Sequence, residues 1–288
     1  MKNNPQRLIL LVLSWLLVMG CAGVVAQIPE SIRPMVDIAQ KTGAKALEAS
    51  QELSDSEEYY LGRGVAARIL SQYPLSQDQV LNTYVNQVGQ TVAQKSTRPT
   101  PYRGYHFAVL ESSTPNSFAC PGGFILVTKG MIKACENEDQ LAAVLAHEVA
   151  HVAHRDGLSA ISQARWTEVA TTAGTEAAKH YGGALGQLLS RFEGSINDVF
   201  KTVIVNGYSR AAEEEADRAG VEILKRAGYN PAAMTAILTA MSSKGGSGGI
   251  LGTHPDIRDR QDNIKIIAQE DNTGMEPART KRFRALKP

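Results

Sequence analysis

The spacing of apolar residues changes character along this chain, and each change predicts a different element. The run LILLVLSWLLVMG (Leu8–Gly20) is almost wholly apolar and follows Lys2 and Arg7. It is too short to span a bilayer comfortably, and its basic lead makes it read as a secretory signal. From Ile28 to Ser96 the apolar positions recur three and four apart. ELSDSEEYYLGRGVAARIL and DQVLNTYVNQVGQTVAQKS each predict an amphipathic helix, and STRPTP ends the second. In YRGYHFAVLESSTPNSFACPGGFILVTKGMIKAC, apolar residues alternate or form short runs, which predicts two or three strands with Pro121-Gly122-Gly123 as a turn.

From Asn137 onward the pattern is helical again. Glu138 and Asp139 fall in the first turn of the next helix, where they oppose its dipole. Residues 158–207, rich in Ala, Gly and Thr, predict one or two loosely defined helices. Ser209–Ala227 predicts a clear helix with Gly228 as its C-cap, and Pro231 starts another. SSKGGSGGILG (242–252) reads as a flexible loop, and a last helix follows His254. The basic tail ARTKRFRALKP is expected to be a solvated end. Together these elements predict a mostly helical α+β fold with a small sheet.

Composition narrows the class further. A chain of 288 residues with 43% hydrophobic and 20% charged residues has the makings of a globular core. Its formal charge of +1 supplies no electrostatic footprint for nucleic acid. Val18-Met19-Gly20-Cys21 resembles a bacterial lipobox, which would make Cys21 the lipidated first residue; cleavage after Ala26 is the competing reading. By analogy with Gram-negative lipoproteins, Ala22 after that cysteine suits sorting to the outer membrane. Cys120 and Cys135 either form a disulfide in an oxidising compartment or remain two buried thiols. No Cys-x-x-Cys occurs, so a cysteine-based zinc knuckle is excluded.

The chemistry concentrates in LAAVLAHEVAHVAH (Leu141–His154), where three of the six histidines stand in an apolar helix. A buried imidazole without a partner costs free energy, so these rings need a reason to be there. His147 and His151 are four apart and share one helix face, while Glu148 sits one step round. This is the H-E-x-x-H pattern of a zinc site with a glutamate general base. A third ligand is best supplied by SRAAEEEAD, in which Glu213 and Asp217 are also four apart. The glutamate can ligate the ion while the aspartate holds a ligand histidine by its other nitrogen. Glu214 and Glu215 read as a solvated face, and His154 as structural.

The sequence resembles the HtpX-like and CAAX-protease-type zinc metalloendopeptidases, gluzincins with a zincin-like fold, and above all their soluble, often lipid-anchored periplasmic members. The resemblance runs from about Leu53 to Ile267 and rests on NSFACPGG, LAAVLAHEVAHV, SRAAEEEAD, RAGYNPAAM and THPDIRDR in that order. It implies one Zn2+ per chain on His147, His151 and Glu213, with Glu148 as base and Asp217 behind a ligand histidine. Asn116, Ser117, Phe118 and Ala119 would be an edge strand along which an extended polypeptide substrate lies. His254 would either hold the fourth metal position as a latch or stabilise the transition state, and Arg260 would face the oxyanion. Relatives often carry a histidine five residues beyond the second zinc ligand, where this chain has Asp156. The membrane-embedded members have long apolar helices after the zinc helix, whereas TEVATTAGTEAAKHYGGALGQLL is too polar to span a bilayer. No helical repeat array is expected after the catalytic domain.

The expected organisation is a signal at 1–20, an N-terminal segment at 21–52, a metallopeptidase domain at 53–270 and a basic tail at 271–288. The expected activity is hydrolysis of unfolded or misassembled envelope proteins in the periplasm, from an N-terminal lipid anchor in the outer membrane and without nucleic acid. The alternative is a zinc-stabilised periplasmic chaperone or assembly factor whose proteolysis is latched or absent.

Overall fold

Two helices, Asp55–Leu70 (α1) and Gln79–Ala93 (α2), precede a three-stranded sheet and pack on its opposite faces. The computed structural model describes residues 53–158, 199–201, 207–243, 253–254, 257–269 and 277–288. The signal run, Cys21, Ala26, the segment 21–52, most of 158–207 and the glycine-rich loop after Ser243 lie outside these residues. So does the polar stretch TEVATTAGTEAAKHYGGALGQLL. In α2 the side chain of Asp78 caps the N-terminus by accepting from the Leu81 amide, and Leu81, Tyr84, Val85, Val88 and Val92 form its buried stripe.

The strands are His106–Leu110 (β1), Ser117–Cys120 (β2) and Phe124–Thr128 (β3), in the order β1-β3-β2. β1 runs parallel to β3 with His106 opposite Phe124, and β2 runs antiparallel to β3 with Ser117 opposite Val127. The two-residue period of a strand sorts their side chains. Phe107, Val109, Ala119, Ile125 and Val127 face the main core, while Leu110, Phe118, Cys120 and Leu126 face α1. Ser117 shares the face of Ala119, and that face looks toward the helix that follows.

Pro121–Gly123 forms a single 3-10 turn between β2 and β3. Gly122 adopts φ +72°, and a Cβ on Gly62 of α1 would lie 1.7 Å from the Pro121 carbonyl oxygen, so α1 can seat directly on the turn. The buried Glu58 of α1 accepts from the Gly122 amide at 2.9 Å and pairs with Arg98 and Arg155. A short helix, Lys129–Ala134 (α3), leads into Glu138–His154 (α4). α4 is buried from Glu138 to Val152, which is why its sequence is apolar all round rather than along one stripe.

Arg210–Ala227 (α5) packs along α4, and Ala232–Ser243 (α6) and Ile257–Gln269 (α7) close the core behind them. Ser209 caps α5, and Gly228 ends it in the left-handed region at φ 73°. The last helix, Pro277–Leu286 (α8), corrects the expectation of a solvated tail. Phe283 is fully buried, Arg279 pairs with Asp139 at 2.8 Å, and Arg282 pairs with Glu138. Two of its basic residues thus serve the two buried acids at the start of α4. The mostly helical fold with a small sheet beside α4 is therefore the observed one. Among the described residues no helix is long and apolar enough to cross a membrane.

Cys120 and Cys135 are not joined by a disulfide. Cys120 belongs to the cluster under α1 and Cys135 to the main core on the other face of the sheet. Burial pushes the Cys120 thiol pKa up, and nearby Glu148 adds to it, which keeps that thiol protonated.

Candidate metal centre

Three separate elements bring four possible ligands together. α4 supplies His147 and His151 from one face, α5 supplies Glu213 from its first turn, and the segment before α7 supplies His254. One donor atom from each lies within 4.8 Å of all the others, and all four residues are buried. The Nε2 atoms of His147 and His151 are 3.0 Å apart. His254 Nδ1 is 3.3 Å from His147 Nε2, and His151 Nε2 is 3.5 Å from Glu213 Oε1. A tetrahedral ion with bonds of about 2.0–2.1 Å needs ligand atoms about 3.3 Å from one another. The donor set fits zinc in both chemistry and spacing.

The outer nitrogens of the two α4 rings explain what the inner ones can do. Asp217 Oδ1 lies 3.0 Å from His147 Nδ1, and Asp156 Oδ2 lies 2.7 Å from His151 Nδ1. Each carboxylate favours the ring proton on Nδ1, so both Nε2 lone pairs turn inward and face each other. Something positive must lie between them, whether a proton or a metal ion. The electrostatics make the same demand. Burial alone would make His147 harder to protonate, but Asp217 and Glu213 outweigh it and push its pKa up to about 10. Burial likewise opposes ionisation of Glu213, yet His254, His147 and His151 hold its pKa well below the usual carboxylate range. For Asp217 burial is outweighed by Arg260 and His147, which bring it down to about 2.

Glu148 stands beside this cluster, fully buried on α4. Ser117 Oγ donates to its Oε1 at 2.7 Å, and His254 Nε2 lies 3.5 Å from the same oxygen. Its Oε2 has no hydrogen-bond partner among the described residues. Thr253 Oγ1 donates to Asn116 Oδ1 at 2.9 Å, which ties the segment carrying His254 to the start of β2. Asn116, Ser117, Phe118 and Ala119 therefore lie at the sheet edge nearest the cluster, but all are buried. The Ala119 carbonyl accepts from the Tyr208 hydroxyl at 3.1 Å.

Arg260, expected to face an oxyanion, is held by carboxylates in this structure. It is 2% exposed, donates through Nε and Nη2 to Asp217 at 2.8 and 2.7 Å, and sets Nη1 2.5 Å from Glu213. Its charge is spent on two carboxylates that themselves face the histidines. His154, three beyond His151, is not part of the cluster.

Two further residues at the cluster have no part in the motif spacing. Asp156 holds His151 because Arg155 turns the chain into the left-handed region at φ 59°, ending α4 and returning the next residue toward the ring. Tyr208 stacks on the His151 ring with centroids 4.1 Å apart. Asp156 could have been found as a carboxylate at the position where relatives carry a histidine. An isolated tyrosine before a cap serine carries no such signal.

Sequence comparisons place the same residues within a known family. Residues 79–268 match peptidase family M48. The chain is 26% identical over 256 residues to the beta-barrel assembly-enhancing protease of Escherichia coli (strain K12), covering 81% of this chain and 50% of that protein. With the protease of the same name from Yersinia pestis, identity is 28% over 225 residues, covering 75% and 43%. With the mitochondrial metalloendopeptidase OMA1 of Schizosaccharomyces pombe it is 31% over 156 residues, covering 53% and 43%. The chain thus spans about half the length, or less, of these curated relatives. The extent of the family match, with a His/Glu cluster fit for a metal at its centre, shows that this chain belongs to peptidase family M48.

Proposed function

We propose that this protein is a zinc-dependent endopeptidase that cleaves unfolded or misassembled proteins of the cell envelope. The observation that carries the reading is Glu148: a buried carboxylate beside the ligand cluster, with one oxygen held by Ser117 and the other unpartnered. His147, His151 and Glu213 would hold the zinc. When bound, the ion would polarise the scissile carbonyl and bring the pKa of its water toward neutrality. Glu148 takes the proton from the attacking water at Oε2 and returns it to the leaving amine nitrogen. The Ser117 hydroxyl keeps Oε1 in place throughout. Asp217 and Asp156 fix the two α4 rings, and Arg260 neutralises and orients Asp217 and Glu213 as a positioning residue rather than an oxyanion donor.

An extended substrate would pair along β2, whose main-chain groups bind any peptide backbone, and Tyr208 must then release the Ala119 carbonyl. Such pairing suits unfolded polypeptide. The names of the bacterial relatives, beta-barrel assembly-enhancing proteases, support the envelope as the place of action. The signal run and lipobox support a periplasmic protein anchored to the outer membrane through Cys21. The domain limits 53–270 go with this reading.

The test is a casein digest by the zinc-loaded protein, its chelated form and Glu148→Gln. Chelation and Glu148→Gln should each abolish cleavage, while the variant keeps its zinc. Turnover in metal-loaded Glu148→Gln would sink the mechanism. A second reading, a chaperone or assembly factor with latched proteolysis, is favoured by His254, whose Nδ1 stands in the cluster where a fourth ligand belongs. If His254 is a latch, His254→Ala raises cleavage; if it stabilises the transition state, cleavage falls.

A further inference from the structure

The two helices that carry His147, His151 and Glu213 both end in the left-handed region, but on different residues. α5 ends at Gly228, φ 73°, which takes this conformation without strain. α4 ends at Arg155, φ 59°, where a Cβ makes the same turn costly. The backbone alone gives no reason for an arginine there. The side chain does: Arg155 Nε lies 3.1 Å from Glu58 Oε2, and Nη2 pairs with Asp55, both on α1. Glu58 is fully buried, and four nitrogens surround its two oxygens. The Gly122 amide and Arg98 Nη1 stand 2.9 Å from Oε1. Arg98 Nη2, at 2.9 Å, shares Oε2 with Arg155. A carboxylate has about four acceptor positions, so Glu58 is saturated and fixed in place. One buried residue of α1 thereby holds both the turn after β2 and the end of α4.

We propose that Glu58 and Arg155 are positioning residues of the metal centre: their ion pair pins the left-handed turn that keeps Asp156 on His151, and so sets the metal affinity of a cluster neither residue belongs to. The inference rests on the reading of that cluster as a zinc site. The chain after Arg155 supplies the chemical link. Asp156 is the next residue, and its Oδ2 lies 2.7 Å from His151 Nδ1. That contact keeps the ring proton on Nδ1 and the Nε2 lone pair turned toward His147 and Glu213. Adjacent residues share a peptide plane, so a change of backbone at Arg155 carries Asp156 off the ring. A strained backbone beside a functional residue persists only where its surroundings hold it, and here the saturated Glu58 does so. Asp55 adds a weaker pair, because its side chain is 56% exposed.

The test measures zinc affinity of the full chain by chelator competition, beside denaturant unfolding of the metal-free protein. Arg155→Ala loses the pair and disfavours the turn, and should weaken zinc binding by about 10- to 100-fold. Arg155→Gly loses the same pair but takes the turn freely, so it should recover most of that loss. Combined with Asp156→Asn, Arg155→Ala should add less than about twofold, because both act through one contact. Unchanged affinity in folded Arg155→Ala overturns the proposal. So does a glycine variant no better than the alanine one, or a fully additive loss in the double variant. Residues that merely held the fold would lower metal-free stability in both Arg155 variants and leave zinc affinity alone. Glu58→Gln, which keeps the shape of the side chain without its charge, decides the matter if Arg155→Ala does not fold. About tenfold weaker zinc supports the proposal, and parental affinity overturns it. A parent chain that binds no zinc removes the metal reading and this inference with it; zinc held equally by parent and variants removes this inference alone.

Discussion

Glu138 opens α4 and Glu148 lies within the same helix, and both are completely buried, yet their surroundings are opposites. Glu138 accepts from the Tyr84 hydroxyl at 2.7 Å and the Tyr229 hydroxyl at 3.1 Å, and Arg282 of α8 binds both its oxygens. Glu148 has one serine on one oxygen and nothing on the other among the described residues. Burying a carboxylate is costly unless its lone pairs are filled. At the first end of the helix the protein fills them itself, and the result is an anchor. At the second end Glu148 keeps one oxygen without such a partner, beside a His/Glu cluster whose donors and spacing fit a metal ion. The difference separates buried charge that holds the fold from buried charge that awaits a ligand.

Breaking the saturated end tests that distinction most severely. Arg282→Met leaves Glu138 buried with only its two tyrosines, and should cost about 3 kcal/mol in denaturant unfolding, the low end for a broken buried pair because Arg282 is half exposed. Adding Glu138→Gln should recover part of that loss, since the uncompensated charge is gone. A single variant as stable as the parent would deny that α8 clamps the helix.

At the other end, Asp156→Asn should leave metal-free stability nearly unchanged and weaken zinc binding by about 10- to 100-fold, read by chelator competition. Unchanged affinity would show that His151 is oriented by packing against Tyr208 alone. The smallest effect is expected from Tyr84→Phe. It removes one of several bonds to Glu138 and should cost about 1 kcal/mol with no change in zinc affinity. A fall in zinc affinity there would mean that the two ends of α4 are coupled, and that the anchor also tunes the site.

Residues that act through local spacing are legible in the amino-acid sequence. His147, Glu148 and His151 share one helical turn, and Glu213 and Asp217 share another, so their faces follow from the helix period. The apolar run FILVT and the caps Ser209 and Gly228 are readable for the same reason. Spacing does not reveal the pairing across elements. The basic tail looks solvated until Glu138 and Asp139 are seen to be buried beneath it. Arg260 looks like a free cation until Asp217 and Glu213 are found on it, and Cys120 and Cys135 look pairable until the sheet stands between their clusters.

Neighbours along the chain point to the candidate ligands and to the helices that present them, because a turn of helix is a local event. Which carboxylate serves which histidine, and how Asp156 comes to stand behind His151, are matters of folding in three dimensions. Those outcomes depend on how α4, α5, α6 and the β2 edge approach one another, and the core as a whole sets that approach.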